Sequence, residues 1–418
     1  MSATSFRRLA KVIRHVSVLA VICGCSSITD PAPGAPSAAL TALPRPLSAG
    51  ELKLLSATND FSFSLFRQLG GAQKDSNVFV SPLSASFALG MTMNGAANAT
   101  LDQMRSTLAL GTASDAEINE SYKSLIALLR GLDNTVDVRI ANSIWCTTGF
   151  PVKQSFMDAG RTYFDAQIAV LDFRSATALK TINDWVSSAT AGKIPTIVDA
   201  LGDEVMILVN AIYFKGSWRS RFDPAETTDE LFHGVAGDQS MRLMHRNGLV
   251  NFTSNRDYSA VDLPYGDSAF TMTVVLPGNG VTLDAVSASL MQSTAWTTLV
   301  SQMRPANIDL FIPKLKLEWQ RKLDDDLFSL GMRDAFSDTR ADFSRLSTAS
   351  TSIGYVKQKT YVDINEEGTE AAAVTVVGMV VTSAPLNPRF RADHPFIVVI
   401  RERLTGTIMF MGRITRMP

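Results

Sequence analysis

Few side chains in this chain are placed to act on a substrate. Beyond the N-terminal segment the histidines are His233, His245 and His394, and no Gly-x-Ser-x-Gly elbow, His-Glu-x-x-His helix or phosphate-binding loop accompanies them. His394 stands between Asp393 and Pro395 and reads as structural. Cys23, Cys25 and Cys146 are too few for a disulfide framework, and Cys146 reads as an ordinary thiol. No metal site and no cofactor is expected. With catalysis so poorly supplied, the stretch that stands out is Thr369 to Ala384, Thr-Glu-Ala-Ala-Ala-Val-Thr-Val-Val-Gly-Met-Val-Val-Thr-Ser-Ala. It has one charge, Glu370, and no proline, and it is rich in Val and Thr, which favour strands. Left exposed, such a run is an aggregation hazard.

A buried strand is the plain reading, and the neighbours argue against it. Tyr361-Val362-Asp363-Ile364-Asn365 alternates as a strand, Glu366-Glu367-Gly368 breaks it, and Pro385 and Pro388 close the far end. Successive strand side chains face opposite ways, so Thr369, Ala371, Ala373, Thr375 and Val377 share one face, and Glu370, Ala372, Val374 and Val376 the other. The stretch is built to become a strand whose inner face carries modest, uncharged side chains.

Asn365-Glu366-Glu367-Gly368-Thr369-Glu370-Ala371-Ala372-Ala373 resembles the hinge of a serpin reactive loop, and Phe390-Arg391-Ala392-Asp393-His394-Pro395-Phe396 resembles the serpin C-terminal signature. Further family-like blocks are Ala141-Asn142-Ser143-Ile144-Trp145, Ile182-Asn183-Asp184-Trp185-Val186 with Gly192-Lys193-Ile194, and Asn210-Ala211-Ile212-Tyr213-Phe214-Lys215-Gly216-Ser217-Trp218 with Phe222 and Thr227. The resemblance covers the whole of residues 51–418. It implies an α+β serpin fold: a large central, mostly antiparallel sheet with further sheets, about nine helices, and an exposed reactive-centre loop at about 366–388. It also implies what the chain does. A serine protease attacks a bait bond and forms an acyl-enzyme. The freed N-terminal side of the cut then enters the central sheet as a new strand and distorts the protease before deacylation. The chain is then no enzyme, and its partner is a protease held in covalent complex.

The resemblance assigns residues. The hinge is Glu366, Gly368, Thr369, Glu370, Ala371, Ala372 and Ala373. A shutter under the central sheet takes Ser81, Ser84, Asn210 and Gln358, and the breach, where the loop begins to enter, takes Trp218 and Lys314, with Lys314 pairing to Glu366. For Ser81, the plain reading is a helix cap, and for Trp218, core packing. Counting in from Gly368 by the usual loop length puts the reactive bond between Thr382 and Ser383, with cuts after Val381 or Ala384 as alternatives. Met379-Val380-Val381-Thr382 suits elastase- or subtilisin-like proteases and excludes trypsin-like ones. The uncharged inner-face hinge residues Thr369, Ala371 and Ala373 favour an inhibitor over a non-inhibitory carrier or chaperone. Many relatives have a histidine where Gln358 stands. An amide can bond Asn210 and the serines but cannot titrate, which puts a pH-sensitive shutter in doubt.

The elements that must position these residues fit one large domain. The chain has 418 residues, 46% hydrophobic and 19% charged, enough for a sizeable core. No basic run outside the N-terminus points to nucleic acid, and Lys123 and Arg130 stand alone, which argues against a polyanion site. Arg7, Arg8, Lys11 and Arg14 precede the apolar run Val16 to Ile22, an export signal too short to span a membrane. Ile22-Cys23-Gly24-Cys25 resembles a bacterial lipobox with Cys25 as the lipidated residue, although Cys23 departs from the usual small residue; an ordinary cleaved signal is the alternative. Removing residues 1–24 leaves 35 basic against 40 acidic residues, a net charge of -5. The expected product is a monomer, exported and lipid-anchored to a bacterial membrane or cell envelope, with its domain periplasmic or extracellular. Ser26 to Gly50, with five prolines from Pro31 to Pro46, reads as an extended tether, and 51–418 as one domain. Helices are expected over Leu52–Leu69, from Pro82 towards Gly95, over Leu101–Leu110, Ala116–Leu132 and Leu323–Leu330. Strands are expected over Val136–Ile144 and Val205–Val209, and a hairpin from Ala260 to Pro277.

Overall fold

A computed structural model describes residues 38–369 and 387–418; the export segment, Cys25, residues Glu370 to Ala373 and the Thr382–Ser383 bond lie outside the described residues. Nine α-helices occur among the described residues: α1 (Ala49–Ala72), α2 (Pro82–Met93), α3 (Asn98–Thr107), α4 (Asp115–Gly131), α5 (Gln154–Phe164), α6 (Ala176–Ala189), α7 (Leu283–Leu290), α8 (Ser293–Gln302) and α9 (Asp324–Ser329). The strands, in chain order, are β1 (Val78–Val80), β2 (Val136–Thr147), β3 (Ala166–Leu171), β4 (Met206–Ser217), β5 (Thr228–Gly234), β6 (Gly237–Ser254), β7 (Tyr258–Pro264), β8 (Phe270–Pro277), β9 (Arg304–Pro313), β10 (Leu315–Lys322), β11 (Lys357–Asn365), β12 (Gly368–Thr369), β13 (Arg389–Arg391), β14 (Phe396–Glu402) and β15 (Ile408–Ile414). The class is α+β, as expected.

Local signals account for the helix starts. Ser48 and Glu51 cap α1 reciprocally, and Ser81 accepts from the Ser84 amide ahead of Pro82 at the first turn of α2. The expected tether ends earlier than Gly50. Leu40, Leu43 and Leu47 pack against the core, Leu40 N donates to Asp267 O at 2.7 Å, and Arg45 grips Glu51 and Ser124. Proline-rich composition marks extended backbone, and here part of that backbone is laid down on the domain rather than held off it.

A six-stranded sheet runs in the order β10-β11-β12-β4-β2-β3, antiparallel except for β2 with β3. β2 and β4 pair without a break from Val136–Gly216 to Cys146–Met206. One face of β4 sends Ile212 and Phe214 into the main core; the other sends Ile207 and Val209 into a second cluster with Ile182 and Val186 of α6. Burial on both faces explains why the sequence there is continuously apolar rather than alternating. The second, nine-stranded sheet has the order β1-β15-β14-β8-β7-β6-β9-β13, with β5 on β6. At its heart β14 and β15 are buried throughout. Both cations there are paired, as buried charges must be: Arg401 with Asp262 at 2.6 Å and with Thr273, and Arg413 with Asp284 at 2.6 Å.

Candidate functional site

β11 ends in a two-residue turn, Glu366-Glu367, and the chain doubles back as β12, with Asn365 opposite Gly368 and Ile364 opposite Thr369. β12 is only two residues long, yet it lies between two strands: Gly368 also pairs with Ser217 and Thr369 with Gly216 of β4. Two glycines permit this. Gly368 has φ 154°, and a Cβ there would lie 2.1 Å from the Gly216 carbonyl oxygen. A Cβ on Gly216 would press on the Tyr265 ring at 3.0 Å.

The turn is held mainly through its carbonyls. Trp218 N donates to Glu367 O (2.7 Å), Phe222 N to Glu366 O (2.9 Å) and the Trp218 indole Nε1 to Asn365 O (2.8 Å). The Trp218 ring stacks on Tyr265 with centroids 4.5 Å apart, and the Tyr265 hydroxyl lies 2.8 Å from Thr369 Oγ1. Trp218 therefore does more than fill the core. Tyr265 was not singled out by sequence reasoning; its place before a hairpin turn gave no sign that it reaches β12. Lys314 Nζ donates to Glu366 Oε2 at 2.8 Å, and Thr227 Oγ1 donates to the other carboxylate oxygen at 2.9 Å. Glu366 is buried and Lys314 partly exposed. Burial works to raise the Glu366 pKa, but Lys314, the residue's own backbone amide and Thr227 together hold it below the ordinary carboxylate value.

A second polar cluster lies further along the same sheet. The Ser81 hydroxyl donates to Met409 O at 2.7 Å, and Ser84 Oγ donates to Asn210 Oδ1. Asn210 donates in turn to Asn142 Oδ1, and Asn142 to Phe164 O at 2.6 Å. The expectation that Gln358 bonds Asn210 is corrected. Gln358 Oε1 accepts from Ser81 N and Nε2 donates to Ser81 O, both at 2.8 Å, so its amide faces the Ser81 backbone rather than Asn210. Asn142 fills the role left open, and a buried asparagine within an apolar strand block was the available signal.

Between these two clusters the sheet has a gap. Among the described residues, β4 from Met206 to Lys215 pairs only with β2, and β11 from Lys357 to Asp363 pairs only with β10. A cavity of about 530 Å³ lies between the facing strands and α2, lined by Ser84, Leu89, Ile207, Asn210, Phe343 and Gln358 among others. β12 occupies one end of this slot, and the cavity lies toward the other, by Asn210 and Gln358.

The family model for serpins (serine protease inhibitors) matches residues 56–417. This chain is a serpin. It is 32% identical to an uncharacterised serpin-like protein of Thermococcus kodakarensis, over 92% of each chain. It is 33% identical to the leukocyte elastase inhibitor of Xenopus laevis, covering 86% of this chain and 98% of that one. Among solved structures it is similar to human thyroxine-binding globulin complexed with thyroxine, with a TM-score of 0.80 and 28% identity over 88% of this chain and 99% of that one.

In this serpin the chain resumes at the far end of the loop as β13, which lies parallel to β9 with Arg389 opposite Asp309 and Arg391 opposite Phe311. The C-terminal signature is tied by charge: Arg391 Nε to Asp393 Oδ2 at 2.7 Å and His394 Nδ1 to Asp393 Oδ1 at 2.9 Å, while Asp393 O accepts from His233 N. Asp393 raises the His394 pKa, against burial. Cys146 is buried, and burial pushes its thiol up to about 11, which leaves it protonated and unreactive at neutral pH.

Proposed function

We propose that this serpin is a suicide inhibitor of serine proteases, acting by cleavage of its loop and insertion of the freed segment into the slot between β4 and β11. The observation that carries this reading is β12, already seated between the two strands in a register that can be continued. Carried on, that register sets Ala371 between Phe214 and Val362, Ala373 between Ile212 and Thr360, and Thr375 between Asn210 and Gln358. All three fall on the face that β4 and β11 turn to the main core. Their small, uncharged side chains enter cheaply, whereas an unpaired charge buried there would cost several kcal/mol. Each backbone hydrogen bond gained contributes about 0.5–1.5 kcal/mol, so ten or so contribute on the order of 10 kcal/mol. That is the drive that must outrun deacylation. We place the cleaved bond between Thr382 and Ser383, with Val381 and Ala384 as the alternatives, and the target among elastase- or subtilisin-like enzymes. The aliphatic residues before the bond support that class, in keeping with the elastase inhibitor named among the relatives. An export signal with lipidation at Cys25 would present the domain, as a monomer, outside the inner membrane.

The test is incubation with pancreatic elastase and with subtilisin, read on a denaturing gel. A boiling-resistant band at the summed mass is expected, and mass spectrometry of the released peptide should start at Ser383. A peptide starting at Arg391 would refute the bond assignment. The second reading, a non-inhibitory carrier, takes its support from the thyroxine-binding globulin likeness. It predicts a trimmed chain, active protease and no rise in melting temperature after cleavage.

A further inference from the structure

We infer that His245 is a positioning residue that ties the entry end of the reactive loop to its exit end; this rests on the reading of the loop given above. His245 lies on β6, opposite Phe311 of β9, and its ring stacks on Phe311 with centroids 4.5 Å apart. Its two ring nitrogens point in different directions, each to a carboxylate: Nδ1 to Glu226 Oε2 at 2.6 Å, Nε2 to Asp309 Oδ1 at 2.8 Å. The two carboxylates belong to opposite ends of the loop. Glu226 closes the short 3-10 turn Pro224–Glu226, and the next residue, Thr227, holds Glu366 of the hinge. Asp309 receives Arg389 Nε on its other oxygen at 3.1 Å, and its own amide donates to Pro388 O at 2.9 Å. One route from 366 to 388 therefore runs through this imidazole, beside the one along β9 from Asp309 to Lys314, which holds Glu366.

The chemistry of that imidazole sets a condition. An ionised carboxylate only accepts hydrogen bonds, and a neutral imidazole has a single N–H. Both bonds hold together only while the ring carries both protons. The charged groups facing it are Glu226 from the 3-10 turn, Asp309 from β9, and Arg389 and Arg391 of β13, whose guanidinium groups sit 5.4 and 5.0 Å from the Phe311 centroid. A ring with a single N–H keeps one of the two ties and loses the other.

The test reads hydrogen exchange on the intact, uncleaved chain, so it needs no protease and stands whether or not the protein inhibits. Peptides covering 218–227, 305–313 and 388–394 are followed by mass spectrometry. His245→Phe keeps the stack on Phe311 and removes both donors. It should lose protection about tenfold at all three peptides, as expected for losing a hydrogen bond to a charged group. His245→Gln, which can donate to one carboxylate only, should fall between, and serves if the phenylalanine variant does not fold. A variant that matches the unsubstituted chain, or a loss confined to 388–394 with the hinge peptide unchanged, would overturn the proposal. Trapping of elastase by the same variants reports separately on the inhibitory reading.

Discussion

The two ends of the reactive loop are fastened by different chemistry. At the entry, β12 is held by backbone pairing to two strands, by three carbonyls received on Trp218 and Phe222, and by two glycines that let the strands approach. Lys314–Glu366 adds charge. At the exit, β13 pairs with β9 on one side, and the chain is pinned by Arg389, Arg391, Asp309, Asp393 and His394. Backbone pairing can be extended residue by residue down the slot, each step replacing like with like. Charge pins have no such continuation: they hold or they break. On the proposed inhibitory reading, the entry can grow down the slot once the loop is cut while the exit stays.

The largest expected effect that would break this contrast is at Thr369. Thr369→Arg puts a charge where the Tyr265 hydroxyl and the main core lie, at a cost of several kcal/mol. Trapped complex should disappear from the gel while cleavage continues; a variant that still traps protease would sink the insertion argument. Next, Gln358→Ala leaves the buried Ser81 N without its acceptor and Ser81 O with the Ala85 amide alone, and should lower unfolding stability by about 2 kcal/mol in denaturant titration. Lys314→Ala leaves Glu366 buried with Thr227 and its own backbone amide. Because Lys314 is partly exposed, about 1 kcal/mol is expected, and tryptophan fluorescence should report Trp218 loosening before global unfolding. The smallest effect is at the exit. His394 is raised by Asp393, so its contribution is full below the ordinary histidine value and fades as pH rises through the folded one. Asp393 is lowered, despite burial, by His394 and Arg391, so its share is present above the ordinary aspartate value and lost in acid. Melting temperature against pH should therefore decline slightly from mildly acid to alkaline pH, and Asp393→Asn should flatten that slope.

Much of this was legible in the sequence because it is local. Gly368 after paired glutamates, Pro82 after Ser81, and the alternating Tyr361–Asn365 strand each speak through neighbours in the chain, and α1, α2, α4 and the β7–β8 hairpin came out close to where their periodicity put them. The Lys314–Glu366 pair was reachable only through the family pattern. What stayed hidden is contact between residues far apart in sequence. Nothing about Tyr265 says that its hydroxyl meets Thr369, and nothing about Gln358 says which of several polar groups its amide will take. The register decides that, and register is a property of strand pairs. His245 was counted only as one of few histidines, since its carboxylate partners lie far from it along the chain.

The stretch from Ala38 to Gly50 has a practical side. The chain's family resemblance starts at about Glu51, and a shortened protein would naturally be begun there. Such a version would discard Ser48, the cap of α1, worth about 1 kcal/mol, together with Arg45, which brackets Glu51 and Ser124. It would also bare the apolar surface that Leu40, Leu43 and Leu47 cover, and free Arg403, which grips the Leu40 carbonyl. Glu51 is held at a pKa of about 2 chiefly by Arg45, so without that arginine a buried carboxylate is left short of its counter-ion. A usable recombinant domain should start before Ala38, and a poor yield from one begun at Glu51 would say nothing about whether the serpin itself is sound.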